Sequence, residues 1–553
     1  MLAGGARDTR RFRAAVQGRS LGALPPPSSL TCQGVFNQHS FPAGLPEDAA
    51  DISLAAHWGW AEANSPSLAA AQASAAASGA QPPTEELWLG CFLRSRLDGR
   101  PRDSTPLDLV LVLDTSGSMN CSVEFSRNAR IRVPQPPAIG AAGQLTRLSL
   151  AKEAVHLVVP CLREDDRLSV ATFTDFGQVL QTLEPVGRLD LGALFGAVDG
   201  LMPLGGTTLS AGMAAALQAA GPTPPAEAAG GRRHRRVVFL TDMEDARGEE
   251  LEAMVVEQAK LGLYVSFVGI GIDFNSCVAE QVTKHPGANY FCITGQDEVK
   301  KVMVEDFDRN FFPCALGVKV SFQSDIFDVA AVYGTPVEAK KEVMPVDWHP
   351  SLHRLYPLDF KMQARALLLC WRRCMGSRLP VSVAQRVLNC LAPASRSALR
   401  LGAVFPCSML EDGAVEGGLI LVQMMPCKDA GDVSFGHVRL ALDYTAMDGR
   451  PVSTYQDHRI PLQASGSLSP APSLALRKGL LLRRFVEVCR RYLGASFSPH
   501  ASAEKLRQVL GELEAFLSTF DDTLDICPGI RQELEGFCRL AHNHCDEWMW
   551  MGR

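Results

Sequence analysis

The sequence predicts an α/β protein in which an open, mostly parallel sheet wrapped by helices on both sides is followed by a β-rich unit and a helical C-terminal region. Three observations carry that expectation. Short, nearly continuous apolar runs, Leu107–Leu113 foremost, alternate with stretches of helical spacing between residues 104 and 312, the pattern of strands buried on both faces in a parallel sheet. After Phe312 the rhythm changes to short strands, broken by one helical insertion. From Ala475 onward apolar residues recur at helical intervals.

In order along the chain, strands are expected at Leu107–Leu113, Leu168–Phe173, Val237–Leu240 and Val265–Ile270. Helices are expected around Leu145–Leu162, Leu189–Leu201, Ser210–Ala220, Glu249–Leu261 and Gln296–Phe307. The β-rich unit reads as Gly317–Phe322, Val329–Tyr333, Gly418–Met424 and His437–Tyr444, and the C-terminal helices as Leu476–Leu493, Ala503–Phe520 and Ile530–His542. The resulting division is 1–103, a largely disordered extension with short ordered elements at Gly34–Phe41 and Glu86–Leu93; 104–312; 313–465 with its helical insertion at 362–391; and 466–553. No internal repeat stands out.

Composition narrows the function. Hydrophobic residues make up 46% and charged residues 21% of 553, a globular balance, and the net charge of −6 excludes a strongly basic nucleic-acid binder. No apolar run reaches the length of a transmembrane helix. The 16 cysteines are scattered with no CxxC pair, unlike a disulfide scaffold. Residues Met1–Leu30 lack the apolar segment of a secretory signal; Arg7, Arg10, Arg11, Arg13 and Arg19 face a single acid, Asp8. A disordered basic tail is the expectation, with reduced thiols and a cytoplasmic location; a transit peptide would make the location organellar.

The sharpest chemical signal is Asp114-Thr115-Ser116-Gly117-Ser118, at the end of the first strand of the α/β unit. In such sheets ligands bind outside the carboxyl ends of the strands. One carboxylate and two hydroxyls supply hard oxygen ligands that suit Mg²⁺. Gly117 lets the loop turn so that both serines face one point, with Thr115 turned away.

This segment resembles the metal-ion-dependent adhesion site (MIDAS) of von Willebrand factor A (vWA) domains, whose fold is a Rossmann-like sheet flanked by helices. The resemblance extends to Gly205-Gly206-Thr207-Thr208-Leu209, which matches the family's second loop at Thr207, and to Val237-Val238-Phe239-Leu240-Thr241-Asp242, which matches its last loop at Asp242. Leu148–Leu162, Asp165–Val170 and Val268–Gly271 fit the same pattern, so the likeness covers roughly residues 104–312. It implies that Ser116 and Ser118 ligate Mg²⁺ or Mn²⁺ directly. Thr207 does so directly or through water, and Asp114 and Asp242 act mostly through bound water. One position is left for an Asp or Glu carboxylate of a protein partner. More loosely, Gly34–Phe41, Gly271-Ile272-Asp273-Phe274-Asn275 and Val332-Tyr333-Gly334-Thr335-Pro336 resemble segments of multidomain vWA proteins of bacteria and protists.

Two departures stand out. The family usually has Gly after the last Asp, where this chain has Met243 followed by Glu244 and Asp245, two acids placed to influence a partner. Asn120–Gln144 is a long insertion beside the metal loop. Other candidates are weaker. Gly18–Gly22 satisfies GxSxG without the strand and helix that a nucleophile elbow needs, and neither a phosphate loop nor HExxH is present. Cys538, His542 and Cys545 share a helix face, where packing outweighs zinc binding. The run Arg232–Arg236 reads as a solvated face. The expected function is therefore non-catalytic: a divalent-cation-dependent protein-binding module in an intracellular scaffold. The alternative is a regulatory subunit whose vWA domain docks on an ATPase or ubiquitin-ligase partner.

Overall fold

The computed structural model describes residues 30–44, 51–62, 85–102, 105–123, 145–222, 233–243, 248–271, 287–324, 326–335, 395–408, 414–426, 435–461, 472–498, 501–519 and 528–550, with isolated positions elsewhere. Two strands, β1 (Ile52–Glu62) and β2 (Glu85–Ser95), come first. The α/β unit then runs β3 (Leu107–Asp114), α1 (Arg147–Val158), β4 (Arg167–Phe173), β5 (Gly177–Pro185), α2 (Leu191–Asp199), α3 (Leu209–Ala220), β6 (His234–Thr241), α4 (Gly248–Lys260), β7 (Leu263–Ile270) and β8 (Asn289–Ile293). Six strands follow: β9 (Ala315–Ser324), β10 (Phe327–Tyr333), β11 (Ser395–Phe405), β12 (Leu419–Pro426), β13 (Phe435–Ala446) and β14 (Pro451–Pro461). Helices α5 (Leu474–Ser496), α6 (Ala503–Thr519) and α7 (Pro528–Trp550) close the chain.

The central sheet has the order β8-β7-β6-β3-β4-β5, with the two-residue strand Gly5–Ala6 beside β8. All its pairs are parallel except β4 with β5. The reason β3 is an unbroken apolar run is visible in its two faces. Leu107, Leu109, Leu111 and Leu113 share a core with Leu148, Ala151 and Val155 of α1, while Val110 and Val112 pack with Leu209, Met213 and Ala216 of α3. Helix α1 starts where a Thr146–Ser149 capping box satisfies its first backbone donors.

The other strands form two antiparallel sheets, β10-β12-β2-β1 and β11-β9-β13-β14, the second extended by short pairings of Leu2–Ala3 and Lys340–Lys341 with β11. They enclose a common core: Leu87, Leu89 and Cys91 of β2 meet Val320, Leu399 and Leu440. The alternate residues of β2, Trp88 and Phe92, point the other way into a second core with Leu476, Phe485 and Leu534 of the C-terminal helices. The first sheet is thus sandwiched between a sheet and a helical layer, which is why β2 also reads as a continuous apolar run. Among the described residues no helix is long and apolar enough to cross a membrane.

Several expectations need correction. Glu86–Leu93 lies within the strand β2 as expected, but β1 was not expected, and the two strands, eleven residues each, pair along their whole length. Nor is the basic N-terminus merely a tail: Phe12 is fully buried against Phe485 and Phe537, and Arg13 forms an ion pair with Glu533 at 2.6 Å. The Arg232–Arg236 run is not a solvated face at its described positions. Arg236 is fully buried and donates to Ser266 Oγ (2.8 Å) and the Gly287 carbonyl (2.9 Å), while Arg233 pairs with the buried Asp108 at 2.6 Å. The expected packing role of Cys538 and Cys545 agrees with their burial in the core of the C-terminal helices, with His542 paired to Glu514 at 2.7 Å. The expected insertion 362–391 lies outside the described residues.

Candidate functional site

The site is assembled at the carboxyl ends of β3, β4 and β6. Asp114 is the last residue of β3 and is fully buried. Its Oδ1 accepts from the Ser116 backbone N–H at 2.8 Å, which turns the chain, and its Oδ2 accepts from Thr241 Oγ1 at 2.6 Å. Thr241 Oγ1 in turn accepts from the Met243 N–H at 2.9 Å, locking the end of β6 to the end of β3. Thr115 donates its hydroxyl to the Phe173 carbonyl at 3.1 Å, so its side chain is turned from the loop as expected. Ser116 and Ser118 are buried, with their Oγ atoms 3.0 Å apart.

The loop carrying Thr207 is tied to this turn by backbone bonds. Gly117 N–H donates to the Gly205 carbonyl (3.0 Å) and Leu204 N–H to the Thr115 carbonyl (2.7 Å). A third element joins them: Asp175, just past β4, accepts from the Gly206 N–H at 2.9 Å. A Cβ on Gly206 would stand 2.5 Å from Asp175 Oδ1, and Gly205 has φ +80°, so the double glycine is what allows this approach. Thr207 itself is half-buried in that loop.

Asp242 follows β6 and is fully buried. Arg147 Nη1, from the first residue of α1, donates to Asp242 Oδ2 at 2.6 Å, and neither side chain is exposed. Asp114 titrates well above the usual carboxylate range, pushed up to about 7 by burial first and by the charge of Asp242 second, against the lowering effect of the Ser116 and Thr241 hydrogen bonds. Arg147 already answers the charge of Asp242, and a bound cation would offset the charge of Asp114 beside it.

The donor set fits a small hard cation. In an octahedron with Mg–O distances of about 2.1 Å, adjacent ligands stand about 3.0 Å apart, a spacing that matches the two serine hydroxyls, which are hydrogen-bonded to each other at 3.0 Å. Among the described residues no group of three or more His, Cys, Asp or Glu side chains is placed to hold a metal. A cation here would rely on two carboxylates and on hydroxyl oxygens.

Sequence reasoning missed three participants. Arg147 carried a signal, because a cation at the first position of a helix opposes the helix dipole. Asp175 was signalled only indirectly, by the Gly205-Gly206 pair that makes room for it. Thr241 had no signal beyond preceding Asp242. Glu244 and Asp245 lie outside the described residues, as does most of the insertion 120–144. Met243 has φ +51°, the left-handed backbone that favours glycine, and among the described residues it is the one non-glycine with positive φ.

Exposed apolar side chains border the site. Phe176 in the β4–β5 turn is 83% exposed, Leu204 76% and Met202 75%. The Phe176 carbonyl accepts from Thr174 N–H, and the Thr174 carbonyl accepts from Thr208 N–H, which sets this turn beside the Thr207 loop.

The family model of the von Willebrand factor type A domain matches residues 109–244, a span that includes every residue described above from Asp114 to Asp242. No curated protein matches the chain. Among solved structures, the von Willebrand factor type A protein from Catenulispora acidiphila is 12% identical over 88% of this chain and 89% of that chain, with a TM-score of 0.46. Proximal thread matrix protein 1 from the mussel byssus, in a structure with a zinc-occupied MIDAS motif, is 20% identical over 37% of this chain and 45% of that one, TM-score 0.26. The human COPII-coat protein Sec24c is 10% identical over 76% and 51%, TM-score 0.36.

Proposed function

We propose that this chain, a von Willebrand factor type A domain protein, binds a protein partner through a divalent cation held at the ends of β3 and β6, without catalysing a reaction. The observation that carries this reading is the dry cluster of oxygens: Asp114 beside Asp242, with the Ser116 and Ser118 hydroxyls 3.0 Å apart. Ser116 and Ser118 would hold Mg²⁺ or Mn²⁺ directly, Thr207 would close the shell from the second loop, and Asp114 and Asp242 would act through bound water. The cation supplies a positive centre for an Asp or Glu carboxylate of the partner, a short ionic contact with little water.

The apolar rim supports a protein as the occupant. Phe176 and Leu204 expose large side chains on turns that backbone hydrogen bonds tie to the site loops, apolar area that a protein partner would bury. A partner that offers an acidic residue flanked by apolar ones would meet both features.

The test is recovery of partners by the wild-type chain, by wild type in EDTA and by Thr207→Ala. Partners that depend on the cation are expected to be lost in EDTA and recovered at least about tenfold less by the variant. Equal recovery in all three would overturn the reading.

A further inference from the structure

Arg147 is an improbable residue on local grounds. It opens α1, where its charge meets the positive end of the helix dipole, and it is fully buried, which strips the guanidinium of water. Residues that break local rules in this way are retained where a site uses them. A place is built for it. Gly271, directly after β7, has φ +97°, and a Cβ there would stand 2.8 Å from Arg147 Nε. Gly271 cannot retreat, because its N–H donates to the Ile293 carbonyl at 2.9 Å. From the other side the Arg147 N–H donates to the Cys121 carbonyl at 3.0 Å, fixing the helix start against the turn that follows Ser118.

We propose that Arg147 is the fixed counter-charge of the candidate cation site, and that it exchanges cation affinity for carboxylate affinity there. This inference rests on the cation-binding reading above. With a cation bound and both carboxylates ionised, Asp114 and Asp242 count −1 each and Arg147 +1, so the three sum to −1, where the two carboxylates alone would give −2. A divalent cation then leaves the loaded site at +1 instead of neutral. A partner carboxylate brings it to neutral instead of −1. Arg147 therefore opposes capture of the cation and favours capture of the acid that follows. In the absence of a cation its bond to Asp242 keeps that carboxylate satisfied and aimed.

The test uses the full chain with Arg147→Gln, which removes the charge and retains a donor for Asp242. Mn²⁺ affinity is read by calorimetry, and carboxylate affinity by titrating acetate onto the Mn²⁺-loaded protein and following water-proton relaxation. The variant is expected to bind Mn²⁺ at least about tenfold more tightly and acetate at least about tenfold more weakly than wild type. Arg147→Lys retains the positive charge, so its Mn²⁺ and acetate affinities are expected to lie closer to wild type than those of Arg147→Gln. Unchanged Mn²⁺ and acetate affinities in Arg147→Gln, or an Arg147→Lys variant displaced from wild type as far as Arg147→Gln, would overturn the inference while wild-type Mn²⁺ binding left the cation reading standing. A wild-type chain that does not bind Mn²⁺ would overturn both.

Discussion

Replacing Met243 by glycine and by alanine separates backbone strain from side-chain burial at the edge of the site. Met243 is fully buried among the residues between β6 and α3, so removing its side chain costs about 2–5 kcal/mol in lost burial and residual cavity. Its φ of +51° places it in the left-handed region, which costs a non-glycine residue about 1–2 kcal/mol. Alanine keeps that strain and glycine relieves it, at about 0.5–1 kcal/mol of extra unfolded-state entropy. Glycine is therefore expected to be the more stable of the two by about 0.5–1 kcal/mol, the reverse of their order at an ordinary helix or strand position. Wild type exceeds both, because burial of the methionine outweighs the strain it bears. Urea unfolding of the three proteins, with equal m values, reads the order directly. An alanine variant more stable than the glycine variant would show that the turn after Asp242 does not hold a left-handed backbone.

Two further outcomes follow from the structure. Phe176→Ser combined with Leu204→Ser is expected to weaken capture of a partner about tenfold or more while leaving Mn²⁺ affinity and stability near wild type, since both side chains are exposed and neither is offered as a ligand; a pull-down paired with calorimetry checks it. His39 is lowered to about 3 by burial first and then by Lys478 and Arg13. Its folded-state pKa lies below its unfolded one, so stability is lost as pH falls from about 6.5 towards 3, and His39→Gln is expected to reduce the loss between pH 7 and pH 4.5 by about 2 kcal/mol in urea unfolding.

How much of this was legible in the sequence depends on how many faces of an element are buried. β3, β6 and β7 are buried on both faces and read as apolar runs. β5 and β14 are edge strands with largely exposed side chains, and Gly177–Pro185 and Pro451–Pro461 carry no such signal. β1 was missed because its burial comes from distant partners, β2 along one edge and the sandwich core on one face. In the site, loop positions were legible because short-range turn chemistry sets them, as with Ser116 N–H on Asp114. Arg147 showed in the sequence only as an unfavourable cation at a helix start; its pairing with Asp242, 95 positions away, was not legible. Asp114 is buried and holds Thr241, so its removal disturbs the junction of two core strands as well as any ligand.

The most direct test is therefore a calorimetric titration of Mg²⁺ and Mn²⁺ into wild type and into Ser116→Ala/Ser118→Ala, which deletes the two paired hydroxyls and leaves the Asp114–Thr241 junction in place. Wild type is expected to bind a single cation, and the variant to bind it at least about thirtyfold more weakly, corresponding to about 2 kcal/mol for the two lost oxygens. A wild-type chain that takes up no cation, or a variant that binds it unchanged, would contradict a cation site at these loops.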